Sequence, residues 1–197
     1  MRQFFIVLGL ISFLASIATA QSTSYGVDLN KSNLSWTGYK VLGKHYGPIQ
    51  LASGTLEFSG STLKGGDFVI DMTSIDCEDL SGGSKDKLVG HLKSEDFFGV
   101  DNHPKAMFKI KNTKKSGANT YEVTGDLTIK GITHPVTFPA TVEVTGNMTK
   151  ASADIKVDRT KYDIKYRSGS FFDGLGDKAI NNEFDMKVSL VVNTAVK

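Results

Sequence analysis

Cysteine, arginine and net charge are all scarce in this 197-residue chain, and each scarcity removes a class of function. The one cysteine, Cys77, has no internal partner, so no disulfide can staple the fold. Acids flank it in "SIDCEDL" and would raise a thiol pKa rather than activate it, which reads as an inert buried thiol. Arginine occurs only at positions 2, 159 and 167, and no basic stripe suggests nucleic acid as a partner. The formal charge of +2 likewise does not describe a polyanion binder.

Reactive motifs are missing too. No serine sits in a GxSxG elbow, and neither HExxH nor a repeated CxxC occurs. His91 and His103 are separated by acids but lack the clustered spacing of metal ligands, while His45 and His134 stand alone. The acid pairs Glu78/Asp79 and Glu95/Asp96 are sequence neighbours, which more often face water than frame a bond to be cut. The glycines of "GLGDK" do not follow a nucleotide-binding pattern and read as turn residues. No catalytic residue, metal or cofactor is therefore expected, and the chain reads as a non-enzyme. A serine, histidine and aspartate converging from distant positions would be the exception.

What is present begins with a leader. Arg2 is followed by the apolar run "FFIVLGLISFLASIA", and small residues end it at Ala20. This predicts a secretory signal over residues 1–20, too short for a typical spanning helix, and hence a periplasmic or secreted protein. Removing it leaves residues 21–197 as one domain and takes away only Arg2, so the charge falls to +1.

The remainder is dominated by a two-residue period. Phe68, Ile70 and Met72 share a face, as do Ala106, Phe108 and Ile110, with Met107, Lys109 and Lys111 opposite. Ala151, Ala153, Ile155 and Val157 alternate with Ser152, Asp154 and Lys156. Phe184, Met186, Val188, Leu190 and Val192 alternate with Glu183, Asp185, Lys187 and Ser189. Such alternation marks strands with one apolar and one wetted face. Weaker candidates at Leu34–Val41, Leu51–Phe58, Tyr121–Ile129 and Val136–Val144 bring the total to about eight. Closing them into a barrel would hide every edge, whereas a sandwich would only limit exposure; alternation by itself allows either.

One segment departs from that period. Leu88 and Leu92 are four apart, which predicts a short helix from Ser84, capped by that serine. Ser94 is expected to cap a second turn carrying Glu95 and Asp96, with Phe97 and Phe98 docking on the sheet or closing the barrel. Pro104 ends the excursion.

An exported barrel with generous apolar alternation and little reactive chemistry suits a molecule that water rejects. Burial yields roughly 25 cal/mol per Å² of apolar surface. Lys44, His45, Arg159, Lys161 and Arg167 are candidate polar residues at a mouth.

Four stretches sharpen this reading. "GHLKSEDFFGVDNHPKAMFKI" (Gly90–Ile110), "YEVTGDLTIKGITHPVTFPATV" (Tyr121–Val142), "DRTKYDIKY" followed by "GLGDKAINNEFDMKVSL", and "WTGYKVLGKHYGPIQLASGTLEF" with its tryptophan resemble the YceI-like family over about Tyr25 to Val192. That family is a lipocalin-like group of exported polyisoprenoid-binding proteins. The resemblance implies an all-β, eight-stranded antiparallel lipocalin-like barrel with a short helical connection. It implies binding, storage or transport of a polyisoprenoid or related long-chain amphiphile such as an isoprenoid quinone, without bond-making. By the same resemblance the lipid-binding residues would be Phe68, Ile70, Phe97, Phe98, Phe108, Ile110, Phe138, Ile155, Arg159, Phe184, Met186 and Val188. Lys31–Ser32 stands where many relatives carry His–Ser, and Gly99 where many carry aspartate after the paired phenylalanines. The expected partner is an isoprenoid or other long-chain lipid, with no membrane insertion after signal removal, and a homodimer is compatible with so small a barrel. The alternative function is a structural or stress-associated barrel that binds another protein.

Overall fold

The computed structural model describes residues 21–193; the leader expected over residues 1–20 lies outside them. The strands are β1 (Thr23–Gly26), β2 (Asn33–Lys40), β3 (Gly43–Ser59), β4 (Thr62–Asp71), β5 (Lys105–Lys115), β6 (Thr120–Ile129), β7 (Ile132–Thr145), β8 (Met148–Asp158) and β9 (Ile180–Asn193). One helix, α1 (Gly82–Lys93), lies between β4 and β5. All pairings are antiparallel, and the order β2-β9-β8-β7-β6-β5-β4-β3 returns to β2 through the β2–β3 hairpin. The wall is therefore an eight-membered closed barrel.

The ninth strand does not add a wall position. β1 pairs with β3 at Thr23↔Phe58, and β2 pairs farther along the same strand at Leu34↔Ile49. Together they form one strand interrupted by a turn, in which Asp28 accepts from the Asn30 amide at 3.1 Å and pairs with Lys31 at 2.9 Å. The interruption is stitched into the wall. Val27 donates to the Gly54 carbonyl and Asp28 to that of Val191, while Ser32 Oγ accepts from the Val191 amide at 2.9 Å. β1 escaped the periodicity reading because four residues with a single half-buried side chain carry no alternation.

The two ends of the barrel differ. The β3–β4, β5–β6 and β7–β8 connections make a hairpin end; α1 and the long β8–β9 connection gather at the other. Lys130 and Gly131 join β6 to β7 with φ values of 51° and 74°, the left-handed pair that a two-residue hairpin requires. Gly125 permits a close approach farther along β6. A Cβ there would fall 2.5 Å from both the Lys109 carbonyl and the Phe108 ring, so its absence lets Phe108 lie inside the wall.

The expected helix forms, but its caps differ from the prediction. Leu92 is buried and Leu88 half-buried against the core, as their spacing requires. α1 starts at Gly82, whose φ of +55° costs glycine nothing, and Ser84 falls inside its first turn. No side chain caps this start. The second turn forms, but the Ser94 side chain does not cap it: its hydroxyl donates back to the His91 carbonyl at 2.8 Å. The Ser94 carbonyl then receives the Phe97 and Gly99 amides, which folds residues 95–98 into a turn.

Candidate functional site

The inward rows of these strands do not fill the barrel. A larger cavity of about 130 Å³ extends from mid-barrel toward the hairpin end. A smaller one of about 70 Å³ lies toward the helix end. Ile70, Leu127, Val157 and Met186 line both and separate them. No polar atom is exposed to either. Apolar cavities of about 150 Å³ take a benzene-sized molecule, so each of these spaces holds a short stretch of hydrocarbon.

Period-2 geometry places most of the twelve predicted residues around this space. Phe68, Ile70, Phe108, Ile110, Phe138, Ile155, Met186 and Val188 line the larger cavity. Phe108 is central among the rings, 6.2 Å from Phe68 and 5.5 Å from Phe138. Phe98 and Phe184 line the smaller cavity and meet edge-to-face at 6.3 Å. Met72 and Ile75, just beyond β4, with Trp36, Ile49, Ala106 and Ile129, complete its walls; the Trp36 indole donates to the Asp76 carbonyl at 2.9 Å.

Phe97 and Arg159 line neither cavity. Phe97 turns the other way from its neighbour and packs against His91 at 4.9 Å and Tyr166 at 5.6 Å. Arg159 is buried and directs all three guanidinium nitrogens at backbone carbonyls: Nε to Asn181, Nη1 to Ile164 and Nη2 to Ile180, at 2.7–3.0 Å. Burial pulls its pKa below the usual value, against the opposing charge of Asp158. The arginine thus pins the β8–β9 connection to the start of β9. Of the other candidate mouth residues, Lys44 lies over Tyr46, Arg167 over Tyr166, and His45 binds Asp79 at 2.7 Å. Lys161, too, is outside both linings.

Several lining residues were not predicted, among them Leu34, Leu51, Leu127, Val136 and Ala140. All lie in the weaker strand candidates; Leu34, Leu127, Val136 and Ala140 keep one period there, which would have found them, whereas a bulge between Leu51 and Ser53 puts Leu51 out of phase with Leu56 and Phe58.

The polar clusters are structural in geometry. Asp79 would be raised by burial, but the Tyr46 amide, the His45 ring and the Cys77 thiol bind it and hold its pKa at about 2. Cys77 is buried; desolvation and the hydrogen bond to Asp79 raise its pKa. Among the described residues no three His, Cys, Asp or Glu side chains converge as metal ligands, and no helix is long and apolar enough to cross a membrane.

Three comparisons frame this geometry. The sequence model of the YceI-like domain matches residues 25–192. A UPF0312 protein of Pectobacterium atrosepticum is 30% identical over 146 residues, covering 71% of this chain and 72% of that protein. Among solved structures, Burkholderia cenocepacia BcnA superposes with a TM-score of 0.69 at 23% identity, covering 84% of this chain and 98% of that one. A polyisoprenoid binding domain from Saccharophagus degradans, described as implicated in plant cell wall breakdown, gives 0.62 at 12% identity, covering 87% and 98%. At these identities the two structures are like this chain in fold.

Proposed function

The chain belongs to the YceI-like domain family, and from that premise we propose that its barrel binds, stores or carries a polyisoprenoid or a related long-chain amphiphile such as an isoprenoid quinone. The observation that carries this reading is the pair of stacked cavities without an exposed polar atom. Burying hydrocarbon there contributes about 0.8 kcal/mol per methylene-sized group, so each five-carbon prenyl unit is worth up to about 4 kcal/mol. The binding of a polyisoprenoid by a neighbour of like fold supports the same ligand class. A hollow centre also favours this function over a protein-binding barrel, which needs no internal space.

On this reading the protein is a binder rather than an enzyme, and it works in the periplasm or outside the cell. Phe68, Ile70, Phe98, Phe108, Ile110, Phe138, Ile155, Phe184, Met186 and Val188 touch the tail. Phe97 and Arg159 act beneath it by holding the helix-end closure in place.

The test is native mass spectrometry of the purified protein, followed by extraction and identification of co-purified lipid. The expected result is a bound species that dissociates as a prenyl or long-chain amphiphile. Protein that arrives empty and then refuses prenyl alcohols, prenyl quinones and acyl lipids would end the proposal.

A further inference from the structure

Buried side chains stand at both ends of the barrel. Phe58, Leu63, Tyr121, Thr149 and Val192 do so at the hairpin end, and Met72, Ile75, Tyr162 and Ile164 at the helix end. The strand ladders show where the wall between those ends is unfastened. Pairing of β7 with β8 runs from Thr145↔Met148 only to Ala140↔Ala153. Residues 132–139 of β7 and 154–158 of β8 continue past that point without a partner across the seam.

The cause is written in β7. Pro135 and Pro139 sit in an unbroken ladder with β6, opposite Asp126 and Glu122. Ile129↔Ile132 flanks a two-residue hairpin and so exchanges hydrogen bonds; alternation then makes the Pro135 and Pro139 positions non-bonded toward β6. The N–H groups these prolines lack are those that would have faced β8. Pairing resumes at Ala140, the first residue after Pro139.

Other gaps in the wall are bridged. Where β4 and β5 part beyond Asp67↔Lys109, the Thr113 hydroxyl donates to the Leu63 carbonyl at 2.7 Å. Where β4 leaves β3, residues 74–79 run alongside and bond to Tyr46, Pro48 and Gln50. The β7–β8 seam is walled instead by side chains: Val136, Phe138, Ala153, Ile155 and Val157 all line the larger cavity. At its helix end, outside the lining of either cavity, stands Tyr162, edge-on to His134 of β7 at 5.5 Å, with a buried hydroxyl that has no hydrogen-bond partner. A buried, unpartnered hydroxyl is costly, and a water or a ligand oxygen beside it would remove that cost.

We propose that the β7–β8 seam is the lateral portal through which the ligand reaches the cavity, and that the Tyr162 hydroxyl donates to an accepting oxygen on the head group lodged at its helix end. This inference rests on the lipid-binding reading above. Burial, with the Asp158 carboxylate, pushes the Tyr162 pKa up to about 12, so the group remains a donor at neutral pH. A quinone carbonyl and a prenyl phosphate oxygen offer the same acceptor.

The register carried on from Ala140↔Ala153 sets Thr137 opposite Lys156, both exposed. Oxidised T137C/K156C is expected to take up a fluorescent prenyl phosphate or a prenyl quinone at least tenfold more slowly, with reduction restoring the rate. P135V/P139V, which returns the two missing donors, is expected to slow uptake in the same direction without a cross-link. Unchanged uptake in a folded, cross-linked protein, or in folded P135V/P139V, overturns the portal. Y162F is expected to bind both head-group probes about tenfold more weakly and squalene, which has no accepting oxygen, as the parent does. Equal weakening for squalene, or no weakening for either head-group probe, overturns the tyrosine contact. Amide exchange tests the seam without any ligand. Thr137 and Lys156 should exchange much faster than Thr141 and Ser152, and equal protection rejects the portal. If the parent protein binds none of the probes while this exchange pattern holds, the lipid reading fails and the open seam stands.

Discussion

Filling the hollow should make the protein more stable and worse at its proposed task, a pairing of signs that simple damage cannot produce. Ala153 faces the larger cavity from β8, opposite Ala140. Ala153→Leu adds three carbons there. At about 0.8 kcal/mol per buried methylene-sized group they contribute about 2.4 kcal/mol. Fixing the new rotamer costs about 0.5–1 kcal/mol, leaving a net gain of about 1.5 kcal/mol. The gain is plausible in scale, because an empty space of 130 Å³ at roughly 24 cal/mol per Å³ corresponds to about 3 kcal/mol. For a domain of this size, delipidated Ala153→Leu should melt about 3–6 °C above the parent. The same carbons occupy volume that a tail would use, so prenyl affinity should drop by about 2 kcal/mol, roughly thirtyfold. Calorimetry of the ligand-free protein and titration with a prenyl quinone measure the two quantities. A variant that melts lower and binds as well as the parent would show that the space is not there to fill.

Two further perturbations address what shapes that hollow. Arg159→Ala strands three backbone carbonyls, each costing about 1–3 kcal/mol, so urea denaturation should reveal a loss of at least about 3 kcal/mol. Arg159→Lys should recover only part of it, since an ammonium cannot span the fork; a parent-like midpoint in either variant would contradict the pinning role. Asp79 has a folded-state pKa near 2, below its ordinary value of 3.8, so its contribution is complete above about pH 4 and is lost as pH falls through about 2. Urea midpoints across that window should fall less steeply for Asp79→Asn than for the parent, and parallel slopes would refute the assignment.

The legible part of this protein was local in origin. Alternation at Phe68/Ile70, Phe108/Ile110 and Phe184/Met186/Val188 put those side chains on one face whatever the topology, and that face is the lining. The adjacent Phe97 and Phe98 show the limit. Their pairing suggested a common role, yet a turn sends Phe98 to the smaller cavity and Phe97 to His91 and Tyr166. Arg159 shows it again. From sequence Arg159 reads as a polar mouth residue and, by the resemblance, a lipid-binding one; nothing local reveals that the Ile180 and Asn181 carbonyls arrive from β9 to meet it. The β7–β8 seam escaped the sequence reading: the strand candidate began at Val136, after Pro135, whereas β7 starts at Ile132 and carries both prolines.

By itself, then, the amino-acid order determined the strands, their oily faces and the helical link between β4 and β5. Each follows from contacts a few residues apart. Tertiary structure alone decided that eight wall positions close, that the enclosed rows fail to meet in the middle, and that one seam is left unlaced. Those outcomes depend on register and on the volumes of side chains brought together from distant strands, which no short window of sequence contains.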